Sequence, residues 1–215
     1  MHQNNLRKAL LILEFISLFI ALPLVFYFDV LPVPKIPALV VFTLFCLVIL
    51  VTDRTFETSA LLKWEVEASY IRVMLIRFGL AFVLLLVATW VFLPDQLFII
   101  PRERPQLWLI IMVFYPLVSA LPQELIYRSY FFHRFKPIFS RSWILMMASI
   151  ACFSFLHIIY DNAVALIFTA VGGYLFTKTY QDTKSLLAAS LEHALYGCAV
   201  FTVGLGGFFY EAFTG

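Results

Sequence analysis

Glu14, Gln123, Glu124, Arg128, His157, Glu192 and His193 stand inside long apolar stretches, where a polar or ionisable group is costly and needs a reason. In Gln123-Glu124-Leu125-Ile126-Tyr127-Arg128, the glutamate and arginine are four residues apart. On a helix they share a face and can pair, and mutual neutralisation is the plainest reading of them. Pro122, just upstream, can kink the helix and free backbone carbonyls. His157 closes the run Phe153-Ser154-Phe155-Leu156-His157, and taken alone it reads as a packing residue at the end of a span. His193 follows Glu192, and neighbours on a helix point about 100° apart, so only one of them faces a given point.

A carboxylate and two imidazoles on three apolar helices have two chemical uses. The carboxylate can act as general base on a water, while the imidazoles orient that water and stabilise the oxyanion formed from an attacked peptide carbonyl. Alternatively, two histidines and a carboxylate can hold a metal whose bound water is the nucleophile. Both uses need water among the helices. No Ser, Thr or Cys stands in a comparable nucleophile arrangement, which argues against a serine-type intramembrane protease.

The order Glu-Glu-x-x-x-Arg, Phe-x-x-x-His, His-x-x-x-Asn on successive helices marks the CAAX prenyl protease and bacteriocin-processing family of intramembrane proteases. The present chain resembles it over about residues 105–200, with Gln123-Glu124-x-x-x-Arg128, Phe153-x-x-x-His157 and His193-x-x-x-Gly197. The resemblance implies hydrolysis of peptide bonds within or at the edge of the membrane, on membrane-anchored or prenylated proteins or peptides. It also implies either a glutamate mechanism or a divalent metal such as zinc, with His157 and His193 as ligands. Two positions depart from the family pattern. Gln123 replaces the glutamate that activates water, and an amide cannot accept the proton of water at neutral pH. Gly197 replaces the asparagine. These departures fit either a catalytically silent relative or a subgroup in which Glu124, or Glu192 read as an unpaired carboxylate, serves as base. Glu124 is the preferred base, with Arg128 one turn away.

The elements that must position these groups follow from composition. The residues are 63% hydrophobic and 13% charged, against roughly a quarter charged in a soluble domain. One core of this size does not account for that excess. The apolar runs fall at about 7–28, 37–52, 71–93, 107–132, 142–160, 163–180 and 185–210, each able to cross about 30 Å of hydrocarbon. They are far too long for barrel strands. The expected fold is therefore all-α, a polytopic transmembrane bundle of about seven helices. Its N-terminal region is 1–104 and its protease-like core 105–215. Pro32, Pro34 and Pro37 bound the second span. Arg7 and Lys8 precede a run too long for a signal peptide, so the first helix is retained.

Arg7, Lys8, Arg54, Lys63, Arg72, Arg128, Arg134, Lys136, Arg141, Lys178 and Lys184 fall on one side, against Lys35, Arg102 and Arg104 on the other. The bias puts the N-terminus in the cytoplasm. Arg77, within the third span, is expected to snorkel to that surface. The compact chain suggests a bacterial inner membrane. Trp64, Trp90, Trp108 and Trp143 lie near span ends, as an aromatic belt requires. Residues 53–70 read as a short helix lying on the membrane surface, and 129–141 as an aromatic and basic anchor at the headgroups. Gly204, Gly206 and Gly207 form a small-residue run suited to packing helices within or between chains. The three cysteines are spaced as small buried residues and not as a disulfide framework. No nucleic-acid partner is expected. An unrelated carrier with a polar path is the remaining alternative, though no internal repeat supports it. By simple counting, His157 lies near the outer end of its span and Glu124 nearer the inner end of its own, about 10 Å apart in depth.

Overall fold

The computed structural model describes residues 2–31 and 33–209, and every regular element among them is helical. Pro32 and Tyr210, used above as span boundaries, lie outside the described residues. Seven helices are long and apolar enough to cross a membrane. They are α1 (Asn5–Tyr27), α2 (Lys35–Thr52), α3 (Ala68–Phe92), α4 (Pro105–Ile138), α5 (Ser142–Tyr160), α6 (Ala163–Thr183) and α7 (Leu186–Val203). The chain is an all-α integral membrane protein. Its outer faces carry large apolar side chains such as Leu84 and Phe92, exposed by 69% and 78%. In lipid this exposure costs nothing, so the helices are held by close packing and by polar contacts between them.

The interior is aromatic. Phe19 of α1 meets Phe131 and Phe135 of α4 edge-on, with ring centroids 5.0 and 5.6 Å away. Such pairs contribute about 0.5–1.5 kcal/mol each beyond their burial. Phe131 and Phe135 are fully buried. Residues 129–138 therefore form a helix end packed on α1. One of its bases also turns inward: Arg134 contacts Glu14 at 2.7 Å, and Tyr130 donates to the same carboxylate. Phe19, Cys46 and Leu50 share one core with Ile126, Tyr127 and Phe153.

Two further expectations change. Residues 53–70 hold only a single 3₁₀ turn at Thr58–Leu61 ahead of α3. The Asp53 carboxylate accepts from the Thr55 amide and hydroxyl at 2.9 and 2.7 Å, a local turn that competes with helix. Those bonds, followed by His133, hold Asp53 below the usual carboxylate range. Ser185 then donates to the Lys63 carbonyl at 2.7 Å, tying the segment to the start of α7. At the other end, α7 stops at Val203 instead of 210, because Gly204 turns left-handed at φ +107°. A Cβ there would lie 1.9 Å from the Gln96 carbonyl oxygen. That glycine packs within the chain.

The α5–α6 corner sets the position of His157. A 3₁₀ turn at His157–Tyr160 ends α5, and Asn162 caps α6 by accepting from the Ala165 amide at 2.8 Å. Gly173 lets α6 approach α5 closely, since a Cβ there would lie 2.9 Å from the Phe153 ring. Trp108, near the start of α4, donates its indole N–H to Thr202 at 2.9 Å and clasps α4 to α7.

Candidate active site

Helix α4 carries most of the site, and its sequence makes it irregular. Pro116 and Pro122 each remove an N–H and crowd the preceding turn. The helix answers with π-helical turns at Pro116–Ala120 and Leu125–Tyr130, a form that recurs at functional sites. Tyr115, Ser119 and Gln123, at four-residue intervals, all face a cavity of ≈ 270 Å³. His157 and Tyr160 of α5 and Gly197 of α7 complete its polar side. A second, narrower cavity of ≈ 90 Å³ runs between α1, α2 and α4, lined by Leu18, Leu22, Phe26, Ile36 and Leu39. Ser119, Gln123, His157 and Tyr160 line both, so the two cavities meet at these residues.

Gln123 donates its amide N–H to Ser119 Oγ at 2.9 Å, and its Oε1 is buried with no partner among the described residues. His157 is held by the Phe153 carbonyl, 2.8 Å from Nδ1. A carbonyl only accepts, so Nδ1 carries the proton and Nε2 keeps its lone pair. The spacing Phe-x-x-x-His thus has a physical content: the phenylalanine backbone fixes the imidazole tautomer, and its ring does separate work. That ring lies beneath the Arg128 guanidinium, 5.1 Å from its centroid, and edge-on to His193 at 5.5 Å.

One residue beyond Gln123, the helix turns Glu124 away from both cavities. It is fully buried, 2.9 Å from Arg128 Nε and 2.9 Å from His193 Nδ1. Arg128 is also fully buried, and donates to Ser149 Oγ at 3.0 Å, Tyr127 O at 3.3 Å and Gly173 O at 3.4 Å. Removing one partner of such a pair strands a charge and costs about 3–5 kcal/mol. His193 stacks on Phe176 with centroids 4.6 Å apart, and its Nε2 lies 3.1 Å from the Tyr115 hydroxyl.

The structure brings together Gln123, Glu124, Arg128, His157 and His193, and leaves Glu192 out. Glu192 was read as an unpaired carboxylate, but Arg77 of α3 contacts it at 2.7 and 2.9 Å, and Thr179 donates to it. Arg77 accordingly reaches across to α7 and does not snorkel to the surface. The expected depth gap between Glu124 and His157 shrinks for a simple reason. Helix α4 runs to Ile138, six residues past the expected 132, which adds about 9 Å at 1.5 Å per residue and moves Glu124 toward the middle of its helix.

A metal does not fit these residues. Both ring nitrogens of His193 are engaged, by Glu124 and by Tyr115. No group of three His, Cys, Asp or Glu side chains among the described residues is placed to hold an ion. Tyr115 is the site residue that sequence reasoning missed. Its signal was the four-residue stripe with Ser119 and Gln123 on an otherwise apolar helix.

Residues 105–199 match the family described as type II CAAX prenyl endopeptidase Rce1-like. No curated protein and no solved structure matches the chain. The matched segment spans the helices that carry Gln123-Glu124-x-x-x-Arg128, Phe153-x-x-x-His157 and His193-x-x-x-Gly197. Over that segment the chain is similar to the CAAX prenyl protease and bacteriocin-processing family of intramembrane proteases.

Proposed function

We propose that this protein is an intramembrane endopeptidase that hydrolyses a peptide bond of a membrane-associated substrate with an imidazole-activated water. One observation carries the reading. Gln123 and His157, from two different helices, meet at the junction of two apolar cavities, one offering an unpartnered carbonyl oxygen and the other an unprotonated ring nitrogen. Both are acceptors, and a water has two hydrogens to give. Bound between them, the water directs a lone pair at the carbonyl carbon of a peptide laid along the cavity. As the new C–O bond forms, His157 Nε2 takes the water proton. It returns that proton to the departing amine nitrogen as the C–N bond breaks. Glu124, the base preferred from sequence, acts in this reading through His193, which it holds by Nδ1.

The apolar walls suit a membrane-anchored or prenylated substrate. The Lys and Arg bias supports a cytoplasmic N-terminus, in keeping with a bacterial inner membrane. A second reading has an observation of its own: among the described residues, no Asp or Glu lines either cavity. A silent relative that binds membrane segments without cutting them has the same walls.

A comparison of protein termini in membranes containing the wild type or His157→Ala, at equal abundance, separates the two. New termini confined to the wild type are expected. Identical profiles, under conditions where the gene is needed, would leave the silent relative.

A further inference from the structure

Gly197 stands where the family motif has a side chain, and the space is not empty. A Cβ at 197 would lie 2.2 Å from the ring of Tyr115 and 2.3 Å from its hydroxyl oxygen. Tyr115 comes from α4, one helix away, and fills the place that a residue on α7 would otherwise take. Its ring packs edge-on against Phe201, with centroids 5.6 Å apart. Its hydroxyl reaches His193 Nε2 at 3.1 Å. His193 and Glu124 line neither cavity, whereas Tyr115 lines the larger one together with Gln123 and His157. The tyrosine hydroxyl is therefore the point at which the Glu124–His193 pair touches the cavity.

We propose that Tyr115, seated in the space left by Gly197, is a further catalytic residue whose hydroxyl donates to the carbonyl oxygen of the scissile bond. The proposal rests on the peptidase reading above. Water is held on the Gln123 and His157 side, and attack from there builds negative charge on the substrate oxygen. The Tyr115 hydroxyl is oriented from within the protein, because Glu124 engages Nδ1 of His193 and leaves Nε2 to accept from the tyrosine. In the resting site the hydroxyl proton is shared with Nε2, a modest neutral bond. An oxyanion is a stronger acceptor, so the proton swings to it as charge develops. A bond that strengthens between ground state and transition state is the kind that lowers a barrier. No covalent bond to Tyr115 forms, and no proton leaves it.

The test uses purified full-length protein and a quenched peptide spanning a cut site found by the termini comparison. Tyr115→Phe keeps the ring that fills the space and removes only the hydroxyl. It should lower kcat by about 10²-fold, within the range for loss of one oxyanion donor, with KM unchanged and the thermal midpoint lowered only by the loss of one neutral hydrogen bond. Gly197→Ala should lower the midpoint when Tyr115 is present and leave it unchanged in the Tyr115→Ala background. Cleavage by Tyr115→Phe at the wild-type rate, with His157→Ala silent, overturns the proposal and leaves the peptidase reading standing. A Gly197→Ala variant as stable as wild type overturns the seating of the ring. A wild type that cuts nothing removes both the reading and the proposal built on it.

Discussion

At the residue scale, adjacent side chains on α4 serve opposite ends. Gln123 faces the cavities with one oxygen unmatched, while Glu124 faces the protein, with Arg128 and His193 around it. The family pattern puts carboxylates at both positions, and this chain keeps the buried one. The kept glutamate neutralises a guanidinium that is itself fully buried, so its loss would leave a bare cation among aromatic rings. The exchanged position has no such constraint. Gln123→Glu retains an acceptor toward the water and adds a base beside His157, so cleavage should persist or rise. Gln123→Leu removes the acceptor and should lower kcat by about 10²-fold, with the fold intact. Rates on one quenched peptide check both, and a leucine variant as fast as wild type would remove Gln123 from the water site.

At the element scale, the helices that carry the candidate site are held by polar clasps spaced far apart in the chain. Arg77 on α3 and Glu192 on α7 are the clearest case, with side chains 23% and 0% exposed. Arg77→Ala should destabilise the protein by about 3–5 kcal/mol, since it strands a buried carboxylate. The double change Arg77→Met with Glu192→Leu replaces the pair by apolar groups of similar size and should come close to wild type. Thermal midpoints of the singles and the double close this cycle. Such clasps explain what the sequence hid. The ionisable residues were legible because charge stands out in apolar runs, and their grouping on three helices followed from the motif spacings. Their partners were not legible: Glu192 looks unpaired until α3 is folded against α7. Phe131 and Phe135 look interfacial until α1 brings Phe15 and Phe19 to them. Tyr115 was hidden by type, because a tyrosine in an apolar helix ordinarily signals nothing.

At the scale of the whole molecule, the family match ends at one boundary and the site does not. Leu18, Leu22, Phe26 and Ile36 line the narrower cavity, yet all lie before residue 105, where the match begins. The four matched helices carry the candidate site residues, and in the proposed reading α1 and α2 supply a wall that selects what reaches them. The length of α4 carries a further consequence. Its 34 residues measure about 50 Å, while the 18 residues of α7 measure about 27 Å. A hydrocarbon layer of about 30 Å suits the second and not the first, so α4 must lean, kink or extend past that layer. Tyr115 and Gln123 ride on the longer helix, and His193 on the shorter one. A change in bilayer thickness acts unequally on helices of such different length and is expected to shift one set relative to the other. Activity would then report the thickness of the membrane. In vesicles of graded acyl-chain length, cleavage should peak at one thickness and fall on either side, while binding of the same peptide changes little.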